Sequence, residues 1–252
     1  MMADEQVARD DDDMKTLLVG IANPETTGGL MDLAHCLASE AGFRVIATHI
    51  LQVPPQAHLG SARGSKEMAQ AREKLLAAIR DAAAKDFPVK GVDEGLVSAA
   101  DNQEADLILV GYSEPTDEEK DGDGERSFDR VMYNVARESD SDIVVAKLRR
   151  KQTRSILLPV NTGLNLAVSG MLARAISQAR EAPVTLMHLL REDEESEDEA
   201  RERLEGNLAK SGFEGLGELV IEQPREGVDP IDRMLEVANR HDVTIVGARP
   251  RP

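Results

Sequence analysis

The chain says the same thing twice. Lys15–Leu51 reads as an apolar run, a polar turn, a segment of helical period and a second apolar run, and Arg154–Leu190 repeats that order. Leu17 matches Ile156, Leu33 matches Leu172 and His49 matches His188, each pair 139 positions apart. One ungapped register across a strand–helix–strand unit marks a tandem duplication. It restricts the fold to two related α/β units.

The apolar runs fix the sheet type. Thr16–Ile21, Val45–Leu51, Asp106–Gly111 and Asp142–Lys147 are nearly continuous rather than alternating, as expected of strands covered on both faces. Between them, helical periods predict helices over Leu30–Ala41, Ser65–Lys85, Asp93–Gln103 and Phe128–Glu138. Gly42 is the expected stop of the first helix. Asn23-Pro24-Glu25-Thr26 reads as a turn, and a very short strand is expected within Phe87–Val92. In the second half, strands are expected at Ser155–Val160, Val184–Leu190, Glu218–Glu222 and Val243–Gly247. Helices are expected at Ala167–Ala179, Arg191–Ser211 and Pro230–His241.

Strand–helix alternation with right-handed crossovers gives a doubly wound, Rossmann-like parallel sheet in each unit. The expected division is an acidic leader at 1–14, a first domain at 15–148, a linker at 149–154 and a second domain at 155–252. The second domain is expected to lack its fifth strand. Ligands in such sheets sit beyond the carboxyl ends of the strands, where the winding reverses. The candidate binding residues are therefore Ile21, Ala22, Asn23, Ile50, Gly111, Tyr112 and Ser113 in the first unit. Val160, Asn161 and Gly247 are their counterparts in the second.

Composition excludes several classes. The formal net charge is −17, from 47 acidic against 30 basic residues, so nucleic acid and anionic membranes would be repelled. Aromatic residues make up 2% of the chain and Trp is absent, which leaves little to stack on bases. An acidic, Lys-poor surface suits a salt-adapted protein, with an ordinary acidic protein as the alternative. Cys36 is the single cysteine and lies in the apolar stripe of the first helix, where it reads as a small buried hydrophobe. No run is long enough to span a bilayer, and the N-terminus has no signal-peptide core, so a cytoplasmic location is expected. The acidic stretch Asp117–Asp123 lacks the order of a calcium loop. No nucleophile elbow or Walker loop is present, so no catalytic residue is assigned and no enzyme is expected.

With strand order, the THIL and MHLL runs and the DLILVG run in sequence, the chain resembles the universal stress protein family in tandem form, from about Lys15 to Ala248. Its first strand and turn, KTLLVGIANPE, are similar to those of the related domains fused behind amino-acid permeases and similar transporters. The resemblance implies a site for ATP or AMP, with an acidic residue after strand one and a G-x2-G-x9-G-S/T loop after strand four. This sequence departs from that pattern. Asn23 stands near the acidic position, Gly111 keeps the first glycine, Glu114 takes the second, and no Gly-Ser pair precedes the helix at Phe128. The third strand also looks shortened before Asp93, and the second unit stops before its phosphate loop would begin. The expectation is a non-enzymatic regulatory module with a degenerate nucleotide site and no cofactor, serving an amino-acid or cation transporter. The alternative is an ATP- or AMP-binding stress-response protein. Pairing through the fifth strand, as in the family, implies a homodimer joined at Ile143–Ala146.

Overall fold

The computed structural model describes residues 14–22, 24–52, 83–89, 92–112, 127–147, 152–160, 166–190, 196–223 and 229–247. The chain divides into two compact units that meet in sequence near Leu148.

The first unit contains β1 (Thr16–Ile21), α1 (Pro24–Ala41), β2 (Arg44–Gln52), β3 (Ala83–Val89), α2 (Val92–Gln103), β4 (Leu107–Gly111), α3 (Ser127–Glu138) and β5 (Asp142–Ala146). Its five strands are parallel and ordered β3-β2-β1-β4-β5. β1 lies at the centre, and Leu17, Leu18 and Val19 are fully buried there, as the unbroken apolar run predicts. One face of the sheet carries Leu18, Ile46, Ile108 and Val110 against Leu96, Ala99 and Ala100 of α2 and Val135 of α3. On α1, Leu30, Ala34, Cys36 and Leu37 are buried. The Thr16 amide donates to Asp106 Oδ2 (2.7 Å) and ties β1 to the segment entering β4.

The second unit contains β6 (Ile156–Pro159), α4 (Leu166–Arg180), β7 (Val184–Leu189), α5 (Glu197–Lys210), β8 (Glu218–Glu222), α6 (Pro230–Ala238) and β9 (Val243–Thr244). Its described strands are again parallel, ordered β8-β7-β6-β9. α5 begins with a capping box: Ser196 Oγ accepts from the Glu199 amide, and the Ser196 amide donates to Glu199 Oε2 (2.9 Å). Asp229 caps α6 and Pro230 follows it, where the missing N–H costs nothing.

Four expectations need correction. The Asn23–Thr26 turn is taken over by α1, which starts at Pro24, because proline is preorganised for the first helical position. The end of the expected helix Ser65–Lys85 is strand, since Ala83–Lys85 pairs with Ile46–Thr48; the rest of that helix lies outside the described residues. Cross-strand pairing has overridden the helical preference of Ala-Ala-Lys. β3 therefore runs Ala83–Val89, earlier than the strand expected within Phe87–Val92, and is seven residues long rather than shortened.

The fourth correction concerns β9, expected over Val243–Gly247 but paired only through Thr244. Leu157 accepts from the Ile245 amide (2.9 Å), and the next donor facing this strand belongs to residue 159. That residue is Pro159, which has no N–H to give. Gly20 holds the equivalent place in the first unit and pairs with Val110.

Candidate functional site

In the first unit the chain winds from β1 to β2 and β3, then crosses back to β4 and β5, so the switch point lies between β1 and β4. Ile21 and Gly111 end these two neighbouring strands. The Ile21 side chain is buried, and Ala22 is the exposed residue that follows it. Gly111 faces the start of α1. A Cβ built there would lie 3.3 Å from Leu30 Cδ1 and 3.6 Å from Thr26 Oγ1. The glycine thus lets the β4 backbone approach the first turns of α1, whose amide ends favour an anion.

Beyond Gly111 the strand is held closed on its other side. The Tyr112 amide donates to the Ala146 carbonyl (2.9 Å). The Tyr112 ring meets Phe128 of α3 edge-to-face, with centroids 5.3 Å apart. Lys147 Nζ lies 4.7 Å from the Tyr112 ring centroid, within reach of a cation–π attraction. Tyr112, Phe128 and Lys147 therefore form one cluster at the carboxyl end of β4 and β5. Thr26, Phe128 and Lys147 were not among the sequence candidates. Lys147 falls inside the strand expected at Asp142–Lys147, and the structure places it just past the end of β5.

α2 and α3 are joined near this end of the sheet. Asn134 Nδ2 donates to Asp93 Oδ2 (2.7 Å). That bond holds the Asp93 carboxyl below the usual carboxylate range; the backbone amides of Glu94 and Asp93 and the nearby Arg130 act in the same direction, against partial desolvation.

In the second unit Val160 is buried and its polar groups are engaged. Its amide donates to the Met187 carbonyl (2.8 Å), and its carbonyl accepts from His188 Nδ1 (2.9 Å). His188 is itself buried, so the repeated histidine here braces β7 against the end of β6. Gly247 is exposed beyond the short β9.

The backbone of Ile50 pairs with Phe87 in the sheet. Asn23, Ser113 and Asn161 lie outside the described residues, as do Glu114, the acidic stretch Asp117–Asp123 and the Arg149–Lys151 cluster. Among the described residues, no group of three or more His, Cys, Asp or Glu could hold a metal ion. No described helix is long and apolar enough to cross a membrane.

No protein-family model matches the chain, and no curated protein does. Solved structures do match. A Pseudomonas aeruginosa UCBPP-PA14 protein described as a universal stress protein superposes with a TM-score of 0.59 at 17% identity, over 95% of this chain and 84% of that one. A universal stress protein from Archaeoglobus fulgidus DSM 4304 gives 0.55 at 12% identity, over 89% and 83%. The cytoplasmic domain of a prokaryotic cation chloride cotransporter gives 0.55 at 10% identity, over 84% and 80%. Each match spans both units of this chain, and with the two parallel sheets it gives the chain the universal stress protein fold, twice in tandem.

Proposed function

We propose that the chain is a non-enzymatic regulatory module acting on a membrane transporter of amino acids or cations, from the cytoplasmic side. The observation that carries this reading is the similarity in fold, over 84% of the chain, to the cytoplasmic domain of a cation chloride cotransporter. The KTLLVGIANPE stretch, similar to that of the related transporter-fused domains, points the same way. Ala22, Gly111, Thr26 and Tyr112 stand at the ends of β1 and β4 and the start of α1, with no nucleophile–base pair among them. Such a surface can bind and transmit a contact; among its described residues none is placed to break a bond.

The second reading is an ATP- or AMP-binding stress-response protein. Gly111 against the first turns of α1, with Lys147 nearby over Tyr112, supports an anion at this end of the sheet. Calorimetry with ATP and AMP, with and without magnesium, separates the two. Absence of heat supports the interaction module. Micromolar binding that is weakened by Lys147→Met supports the nucleotide reading.

The module would pair with a second copy along β5. This strand lies at the edge of its sheet, and Val145 is 43% exposed there. An open apolar edge invites another strand. Nucleic acid is not a partner in this reading, given the net charge of −17.

A further inference from the structure

The two sheets blunt the same edge by different means. β3 and β8 are equivalent outer strands, each with a neighbour among the described strands on one side only. The Leu190 amide donates to the Glu222 carbonyl. Alternation along the ladder therefore turns the backbone groups of Glu218, Val220 and Glu222 toward β7. Those of Leu219 and Ile221 turn the other way, to the outer edge. In β3 the matching positions are Ala84 and Asp86, and Pro88 is the next: Ala84 and Leu219 pair with the repeat equivalents Ala47 and Leu186, and Asp86 and Ile221 with His49 and His188.

An outer edge is a template for another strand. Pro88 spoils the edge of β3, because it has no N–H to give. β8 contains no proline and carries three apolar residues in a row, Leu219, Val220 and Ile221, all half-buried. Arg201 of α5 stands in for the proline. Ala200, Leu204 and Leu208 are the buried stripe of that helix. Arg201, beside Ala200, reaches the strand, and its Nη1 donates to the Leu219 carbonyl (3.2 Å). Its Nη2 donates to Glu197 Oε1 (3.2 Å) one turn earlier, which steadies the guanidinium there.

The strand that this contact excludes is β8 of a second copy. A two-fold antiparallel pairing would set Leu219 opposite Ile221 and Val220 opposite itself, so the outward donors and acceptors of the two edges match. Glu222 would not enter such a pair as a bare charge, because Arg233 Nε and Nη2 already hold its two carboxylate oxygens (2.7 and 3.0 Å). The Leu219 carbonyl is one of the acceptors the pairing needs. Arg201 occupies it, and the symmetry of the pair blocks both ends at once.

We propose that Arg201 is a guard on the outer edge of β8, keeping a second copy of the chain from adding there as an antiparallel strand. This goes beyond the regulatory reading, and no part of it rests on pairing along β5.

Sedimentation velocity at micromolar concentration tests this on the whole chain, with circular dichroism as the check on folding. The variants are Arg201→Ala, Arg201→Met, which keeps the apolar stem without the donor, and Arg201→Ala with Ile221→Pro. Proline at 221 removes an outward N–H and leaves the bonds to β7 in place. All four proteins keep β5, so pairing there cancels in the comparison. The expected result is a doubled mass for both single variants relative to wild type, returned to the wild-type value by Ile221→Pro. Amide hydrogen exchange gives the same reading without the proline: the Ile221 amide should exchange more slowly in Arg201→Ala than in wild type. Equal masses for wild type and the single variants overturn the proposal. So does a heavier variant in which the Ile221 amide gains no protection, because association would then run through another surface. Single variants that both unfold also overturn it, because Arg201 would then be holding the unit together.

Discussion

Gly42 and Glu181 occupy one place in the repeat and share one backbone conformation: φ is 73° at Gly42 and 53° at Glu181. Each follows a helix, α1 in the first unit and α4 in the second, and each turns the chain toward the next strand. Glycine adopts this left-handed region freely, while an L side chain there costs about 1–2 kcal/mol. Glu181→Gly should therefore stabilise the second unit by roughly 0.5–1 kcal/mol, after the glycine's larger loss of freedom on folding is subtracted. Urea denaturation followed by circular dichroism measures this. A loss of stability would mean that the Glu181 side chain makes a compensating contact.

The bond from Asn134 to Asp93 holds α3 against α2. Asn134→Ala should cost about 1 kcal/mol at neutral pH. The folded Asp93 carboxyl lies below its ordinary value of 3.8, so its contribution is present above that value and fades as pH falls through the lower folded one. The wild type should lose this increment on acidification below about pH 4, and the variant should lose less over the same interval. Parallel acid titrations of the two proteins would show the difference; identical slopes would remove Asp93 from the account.

Gly170 faces Phe213. A Cβ built at Gly170 would fall 2.7 Å from Phe213 Cε2, closer than side-chain atoms pack. Arg174 lies over the same ring, with its guanidinium carbon 4.8 Å from the Phe213 centroid, and donates to the Gly212 carbonyl. Gly170→Ala should destabilise the second unit by about 1–3 kcal/mol through overpacking. Thermal unfolding reads the cost, and an unchanged midpoint would mean that α4 can shift away at no expense.

Pairing along β5 predicts a dimer in solution. Val145→Lys would place an ammonium on the open edge and should give a monomer in sedimentation velocity. A monomeric wild type at micromolar concentration would end the β5 proposal.

The sequence alone determined the repeat, the parallel strands and the position of the switch point. Continuous apolar runs such as Thr16–Ile21 have one physical use, a strand covered on both faces, and the shared register of Leu17 with Ile156 carries that conclusion to the second unit. The strand-end rule also singled out Gly111 and Tyr112, which stand at the end of β4. What it could not find is set by contacts between residues far apart in the chain. Ala83–Lys85 looks helical until Ile46–Thr48 is placed beside it. β9 looks five residues long until Pro159 is seen to face it without a donor. Val160 looks like a ligand-facing strand end until His188 and Met187 take up its carbonyl and amide. Ile231 and Leu235 are exposed on α6; helical periodicity reports a helix's apolar residues but not what lies on them. Local patterns record what each segment must hide; only the tertiary structure decides which neighbour hides it.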